Sequence, residues 1–373
     1  PESEYQFFAV APYDGSGALG ELSNVVPFPW HILTVDTAEW VGEFTSLAVV
    51  DGNPAISYMG GSNGNFYLKY VRASDAIGSS WESSITVDSA GDVGYWTSLA
   101  IVSGNPAISY MDGSNYDLKY VRASDVDGSS WGSSVIVDSA GDVGYYTSLA
   151  IVNDQPAITY FDHTNEDLKY VRANDADGSS WGSPIAVISV GSVGWNPSLA
   201  IINSNPAIVY FDYTHYDLKY VRANDANGAS WGTPVTVDSV GTGGSYASLD
   251  VVNGNPAISY LSCLGNFHLM YVRASDEDGS SWGNPVIVDS AGGSFTSLAV
   301  VNSNPAISYF DWTSFCLKYV RANDANGSTW RSPTAVDRAG DVGEFTSLAI
   351  VNGNPAISYF DRTNYDLKFA IYY

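Results

Sequence analysis

The chain has 373 residues, of which 45% are hydrophobic and 14% aromatic, ample material for a core. Its 40 acids against 15 bases give a formal charge of −25, which argues against nucleic acid and anionic lipid as partners. No run approaches the roughly 18–20 apolar residues of a membrane helix, so no membrane insertion is expected. Pro1-Glu2-Ser3-Glu4 has neither the basic start nor the apolar run of a signal peptide, as in a processed form.

Residues 1–29 match nothing later in the chain and read as an extra strand or a covering strap. Residues 30–36, with His31-Ile-Leu-Thr-Val-Asp36, lie at the spacing of an outer strand ahead of the first repeat. From about residue 45 to 373 one template recurs, with Asn-Pro-Ala-Ile-Ser-Tyr or a variant starting at 53, 105, 155, 205, 255, 304 and 354. A fixed period near 50 residues signals a closed or stacked repeat architecture. Each unit holds four short runs of β-branched and aromatic residues separated by Asn, Asp, Gly, Ser and Pro, and none has helical periodicity. The unit is therefore a four-stranded antiparallel meander, strands a to d, too small to bury both faces unless neighbours stack on it. The expected fold is an all-β, seven-bladed propeller forming a single domain over 1–373. The seventh repeat ends after its c strand, so residues 30–36 are expected to supply its outer strand and clasp the ring.

The c–d hairpins read Ser124-Asp-Val-Asp-Gly-Ser-Ser-Trp131, Asn174-Asp-Ala-Asp-Gly-Ser-Ser-Trp181 and Asn224-Asp-Ala-Asn-Gly-Ala-Ser-Trp231, with further copies ending at Trp81, Trp282 and Trp330. They resemble the Asp-box of sialidase-type propellers, a Ser-x-Asp-x-Gly-x-Thr-Trp turn, although the acids sit one place either side of the family position. The chain also resembles propeller lectins and secreted repeat proteins. The resemblance implies a structural turn opposite the active face: Asp and Ser cap the turn amides, Gly takes the left-handed position, and Trp plugs the gap between blades.

Twelve of the fifteen bases are template residues, with Lys in Leu-Lys-Tyr/Phe and Arg three residues on; only Arg331, Arg338 and Arg362 stand outside. Cys263 and Cys316 fall in neighbouring repeats, and spacing alone leaves a bridge and free thiols equally open. No cofactor is assigned. Calcium is the one candidate ion, raised by the Asp-rich hairpins, but Ile77 replaces a ligand in the first and no twelfth-position glutamate follows. No histidine spacing fits a metal site.

Variation between repeats concentrates in the b–c and d–a loops, which leave an up-and-down blade on the same face; the opposite face is uniform. Three sets of residues mark the varied face. Carboxylates end the b strands, with Asp162, Asp212, Asp311 and Asp361 as ligand candidates. Their bland role is to cap the b–c turn or pair with the repeated lysine. Aromatics include Trp195, Tyr213, Tyr216, Trp312 and Tyr365, whose faces suit sugar rings; their bland role is to fill space between blades. His163, His215, Tyr213 and Arg362 are the catalytic candidates, the histidines as acid–base groups and Arg362 as a uronate clamp; isolated histidines in loops are usually plain surface residues. The arginine triad of sialidases cannot be assembled, because Arg331 begins a d strand near the other face.

The expected function is an extracellular or cell-surface, lectin-like protein that binds a glycan or cell-surface polysaccharide through the varied face. One alternative is a non-catalytic surface or assembly scaffold, with self-association through residues 1–29. Another is a polysaccharide lyase or glycosidase.

Overall fold

The computed structural model describes residues 30–62, 64–241, 243–263 and 267–373, with the backbone alone of Cys263. The extra strand or strap expected over 1–29 lies outside the described residues. Seven antiparallel four-stranded sheets form a ring, and no helix occurs among the described residues. Blade 1 comprises strands a to d over Val41–Val50, Asn53–Ser62, Asn65–Arg72 and Ile85–Asp88. Blades 2 to 6 repeat this order. Blade 7 takes strands a to c from Val342–Val351, Asn354–Asp361 and Asp366–Tyr372, and its outer strand from Trp30–Asp36. Trp30 stands opposite Tyr372 and Thr34 opposite Lys368, so the clasp expected from the sequence closes the ring.

Local chemistry fixes each unit. The a–b connection is a two-residue turn with positive φ at both positions, Asn253 (47°) and Gly254 (83°) in blade 5, which suits the twist of the flanking strands. The template arginine caps it: Arg222 donates through Nε to the Ile202 carbonyl (3.0 Å) and through Nη2 to that of Asn203 (2.8 Å). In the c–d hairpin Asp175 accepts the amides of Asp177 and Ser179 and the Ser179 hydroxyl. Its glycine is obligatory on two counts. Gly128 has φ +76°, and a Cβ there would lie 2.6 Å from the Tyr70 ring of the preceding blade.

The core consists of seven layers between blades, such as Leu68, Tyr70 and Val93 packed with Leu99, Ile108 and Tyr110. Each hairpin tryptophan meets the edge of an aromatic ring from the preceding blade, as Trp181 does with Tyr120 at 5.1 Å. Where blade 7 has no such hairpin, Trp30 fills the place against Tyr319 at the same distance.

Hydrogen bonds join the blades in three tiers. Nearest the axis, Ser46, Ser98, Ser148, Ser198, Ser248, Ser297 and Ser347 each accept the backbone N–H of a leucine in the next blade, at 3.0–3.1 Å, around the whole ring. Beside them, buried hydroxyl pairs such as Ser109–Thr147 (2.7 Å) bridge five of the seven junctions. At the junction of blades 4 and 5 both members are gone together, replaced by Val209 and Ala247. Further out, a lysine spans two aspartates: Lys119 reaches Asp112 of its own blade (2.7 Å) and Asp88 of the preceding one (3.6 Å). Blade 5 has lost this lysine and its own aspartate together, as Met270 and Ser262.

Asp250 breaks the template inside strand a of blade 5, where the other blades carry Ala48, Ala100, Ala150, Ala200, Ala299 and Ala349. Burial pushes its carboxyl up to about 6, against the one amide bond from Val251. The folded state thus keeps a proton that the unfolded chain has released from about pH 4 upward. The destabilisation is absent below that pH and complete above about pH 6, where the difference between the folded and unfolded pKa amounts to about 2–3 kcal/mol. Asp250→Ala is expected to stabilise the protein by about 2 kcal/mol near pH 8 and far less near pH 4, read from denaturant unfolding at both. An equal gain at the two pH values would remove ionisation as the cause.

Candidate functional site

The b–c and d–a loops do share one face, as the hydrogen bond from the His163 amide to the Asp142 carbonyl (2.9 Å) illustrates. Its centre is built by a backbone feature common to all blades. Near the start of each strand a, the ladder slips by a bulge, and one non-glycine residue adopts positive φ, between 47° and 55°. These residues are Phe44, Trp96, Tyr146, Asn196, Tyr246, Phe295 and Phe345, and they line a depression of about 190 Å³ at the channel mouth. The rings touch in sequence: Phe295–Phe345 at 4.6 Å, Phe345–Phe44 at 4.5 Å, Phe44–Trp96 at 5.4 Å and Trp96–Tyr146 at 5.0 Å. Asn196 of blade 4 is the one non-aromatic member. A non-glycine residue held left-handed costs of order 1 kcal/mol, so seven in register mark a feature enforced by the surrounding packing.

Around this mouth, blades 3, 4, 6 and 7 each pair one d–a residue with one b–c residue, and the two change together. Tyr145 stacks on His163 at 5.3 Å, Trp195 lies 5.5 Å from Tyr213, the Trp312 indole donates to Ser294, and Arg362 pairs with Glu344 at 3.1 Å. In blade 2 the bulk sits on one side only: Tyr95 fills the space that a Cβ on Gly113 would need. His163, Tyr213 and Arg362 therefore each have a partner within their own blade.

Asp162, Asp311 and Asp361 are covered at the loop bases, where each accepts donors from its turn and from Lys169, Lys318 or Lys368. Burial pushes the Asp162 and Asp311 carboxyls up, but these hydrogen bonds outweigh it and hold both below the ordinary value. Asp212 differs. Blade 3 carries Ile188 where the other blades end strand d with an aspartate, and Lys219 turns to Asp217 (3.0 Å) and Thr236 (2.7 Å) instead. Asp212 then holds the His215 Nδ1 at 2.9 Å, in the place where Asp162 holds the Asn165 amide. His215 is exposed, as are Tyr213 and Tyr216, whose rings lie 5.4 Å apart. His163 sits 3.4 Å from Asp142 and meets Tyr213 through intervening rings, Phe161 and Trp195 among them; Arg362 belongs to blade 7. Among the described residues, no contact joins His163 to His215 or either to Arg362.

The seam of blades 7 and 1 gathers more. Trp40 stacks on Tyr365 at 4.4 Å with the planes 26° apart, and both rings are exposed. They border a cavity of about 420 Å³ that also takes in Glu39, Ser62, Phe66 and Asn364. On their other side a second cavity of about 210 Å³ holds Glu43, Glu344 and Arg362. Glu43 accepts the Trp40 indole N–H at 2.9 Å. Burial pushes both glutamates above their ordinary value; Arg362 pulls each back, and Glu43 adds to the rise at Glu344. Sequence reasoning named Arg362 and Tyr365 but missed Trp40 and Glu43. The signal was available in the first d–a loop, Thr37-Ala-Glu-Trp40, set against Ser89-Ala-Gly-Asp92.

Cys316 is a buried free thiol whose sulfur lies 3.0 Å from the Ser314 hydroxyl. The carboxylates that anchor the hairpin turns spend their oxygens on the turns' own donors, and the described residues contain no cluster of three potential metal ligands. Because Arg362 supplies the cation that lowers Glu344, Arg362→Gln is expected to move the Glu344 titration to higher pH. Carboxyl-carbon NMR would show this, and an unchanged midpoint would break the assignment.

No protein-family model and no curated protein matches this chain. Solved structures do resemble it. An ulvan lyase from a polysaccharide lyase family, bound to a GlcA(1-4)Rha3S unit, aligns at TM-score 0.59 and 14% identity over 91% of this chain and 95% of its own. YCF48 bound to D1 peptide aligns at 0.58 and 14%, covering 92% and 94%. The NanB sialidase of Streptococcus pneumoniae aligns at 0.51 and 11%, covering 93% and 71%. At these identities the likeness establishes the fold alone, a β-propeller, whose seven blades the strand order shows.

Proposed function

We propose that the chain is a lectin-like protein of an extracellular or cell-surface setting, which takes glycans on its b–c/d–a face. The observation that carries the reading is the Trp40–Tyr365 stack with Glu43, Glu344 and Arg362 beneath it. An aromatic wall binds the apolar face of a sugar ring, while acids, amides and a guanidinium meet its hydroxyls. Tyr213, Tyr216 and Trp312 repeat the aromatic theme around the rim, and several weak sites on one rigid face multiply through avidity. Two of the fold's relatives, the ulvan lyase and the sialidase, are carbohydrate-active by name, which fits this reading.

Glycan-array screening with and without calcium tests the proposal, followed by titration of the best ligand. Tyr365→Ala and Trp40→Ala are each expected to weaken binding by about tenfold, about 1.4 kcal/mol, for loss of one stacked ring. Silence across a broad array, or affinities untouched by both changes, would sink it.

A second reading, polysaccharide cleavage, rests on Asp212–His215, the one loop base where an imidazole replaces the amide. Polymers of uronic acid incubated with the chain would gain unsaturated ends, and His215→Ala would abolish the gain while His163→Ala would not. An inactive wild type removes this reading.

A further inference from the structure

A cavity of about 250 Å³ lies at the junction of blades 6 and 7, lined by Trp30, Asn302, Tyr319, Arg321, Arg331 and Asn354 among others. Among the described residues no acid lines it, in a chain of charge −25. It exists because strand d of blade 7 comes from Trp30–Asp36, so no c–d hairpin joins strands c and d of that blade.

The other junctions show what this place recognises. At the junction of blades 4 and 5 three groups of blade 4 converge on one residue of the next hairpin, Asp278. The Tyr220 hydroxyl donates to its carbonyl (2.9 Å), the Asn203 amide donates to its carboxylate (2.8 Å), and the Arg222 guanidinium lies 3.3 Å from the same oxygen. Parts of the set recur elsewhere. Tyr120 and Arg122 meet Asp177, while Tyr170 and Asn153 meet Asn227, as Tyr271 and Asn253 meet Asn326. Where the hairpin lacks an acid or amide, two of the three groups are dropped: the blade 1 hairpin carries Ile77, and blade 7 faces it with Phe369 and Ile371 in place of the tyrosine and arginine while keeping Asn352.

Blade 6 keeps all three groups, as Tyr319, Asn302 and Arg321, with no hairpin to meet. Among the described residues, the bonds that Tyr220 and Asn203 make to Asp278 have no counterpart at Tyr319 and Asn302, and the Arg321 Nε is buried without a hydrogen-bond partner. Asn354 is likewise unengaged; its counterpart Asn304 donates to the Ala322 carbonyl at the start of a hairpin. Arg331 adds a second cation where blades 2 to 5 have glycine after the tryptophan.

We infer that this notch is a docking site for an aspartate-bearing peptide turn of a partner protein. The aspartate carbonyl would accept from Tyr319 and its carboxylate from Asn302 and Arg321, with Trp30 already in the tryptophan's place. The site lies among the a–b and c–d turns, on the face opposite the proposed glycan site, and does not rest on that reading. The acidic surface as a whole repels such a peptide, but beyond about 8 Å that repulsion is screened at physiological salt.

The test uses the full chain and a synthetic peptide of the sequence Ser275–Ser281, which carries Asp278, with binding read by calorimetry at about 0.15 M salt. The peptide is expected to bind. Tyr319→Phe and Arg321→Ile, which install what blade 7 already tolerates as Phe369 and Ile371, are each expected to weaken it about tenfold. Asp278→Ala in the peptide is expected to do the same, and Tyr365→Ala on the far face to do nothing. No binding at millimolar peptide overturns the inference, as does binding indifferent to all three changes. Binding of a glucuronate oligosaccharide in the peptide's stead, with the same sensitivity to Tyr319→Phe and Arg321→Ile, overturns the assignment to a peptide.

Discussion

A ring of sheets must satisfy the inner edge of every blade, and this chain does so with seven serine hydroxyls. Strand a is the innermost strand, and its free edge faces the axis, where a row of unpaired amides would be costly to bury and prone to pair elsewhere. The belt running from Ser46 to Ser347 meets the leucine N–H of each next blade, including the step from Ser347 back to Leu47. One bond of this kind contributes only about 1 kcal/mol net, but an unmet buried amide costs more, about 1–3 kcal/mol. The belt tolerates no exception, whereas the hydroxyl tier beside it is missing at two of seven junctions. With strand a held in register, the bulge near its start falls at the same height in every blade, and seven side chains meet at the channel mouth.

Departures from the template come in physically coupled sets. Val209 arrives with Ala247, Met270 with Ser262, and Glu344 with Arg362. Each set removes or replaces both ends of one interaction, which avoids leaving a buried charge or hydroxyl unpaired. Blade 4 and its neighbours hold many of these changes: Ile188 releases Lys219, Asp212 takes up His215, and Asn196 interrupts the aromatic ring. A varied face is therefore built on coupled pairs, and a single unusual residue there is first a member of a pair.

Much of the fold was legible because a period of about 50 residues and four short β-rich runs per unit leave few architectures to choose from. The clasp by residues 30–36 and the division into a varied and a uniform face came from the same template. The interblade role of the hairpin tryptophans came from the resemblance to the Asp-box. The candidate site was less legible. Asp162, Asp311 and Asp361 were open in the sequence to a ligand role or to pairing with the repeated lysine, and the lysine reaching across each of them shows the pairing. Trp40 and Glu43 escaped because they precede the first clear repeat, and because their neighbours Tyr365 and Arg362 come from the far end of the chain. Ring closure, which no local pattern encodes, makes that seam.

The clasp also sets how the ring responds to force. Trp30 and Tyr372 stand directly opposite each other at one end of an antiparallel pair. Tension drawn through these two residues would load the ladder one rung at a time, as in a zipper, and would not shear all rungs together. The two rings meet edge to face at 5.5 Å at the point where such peeling begins, and both line the notch. Whatever seats there lies across the first rung, so occupancy of one small cavity is tied to the mechanical strength of the whole ring.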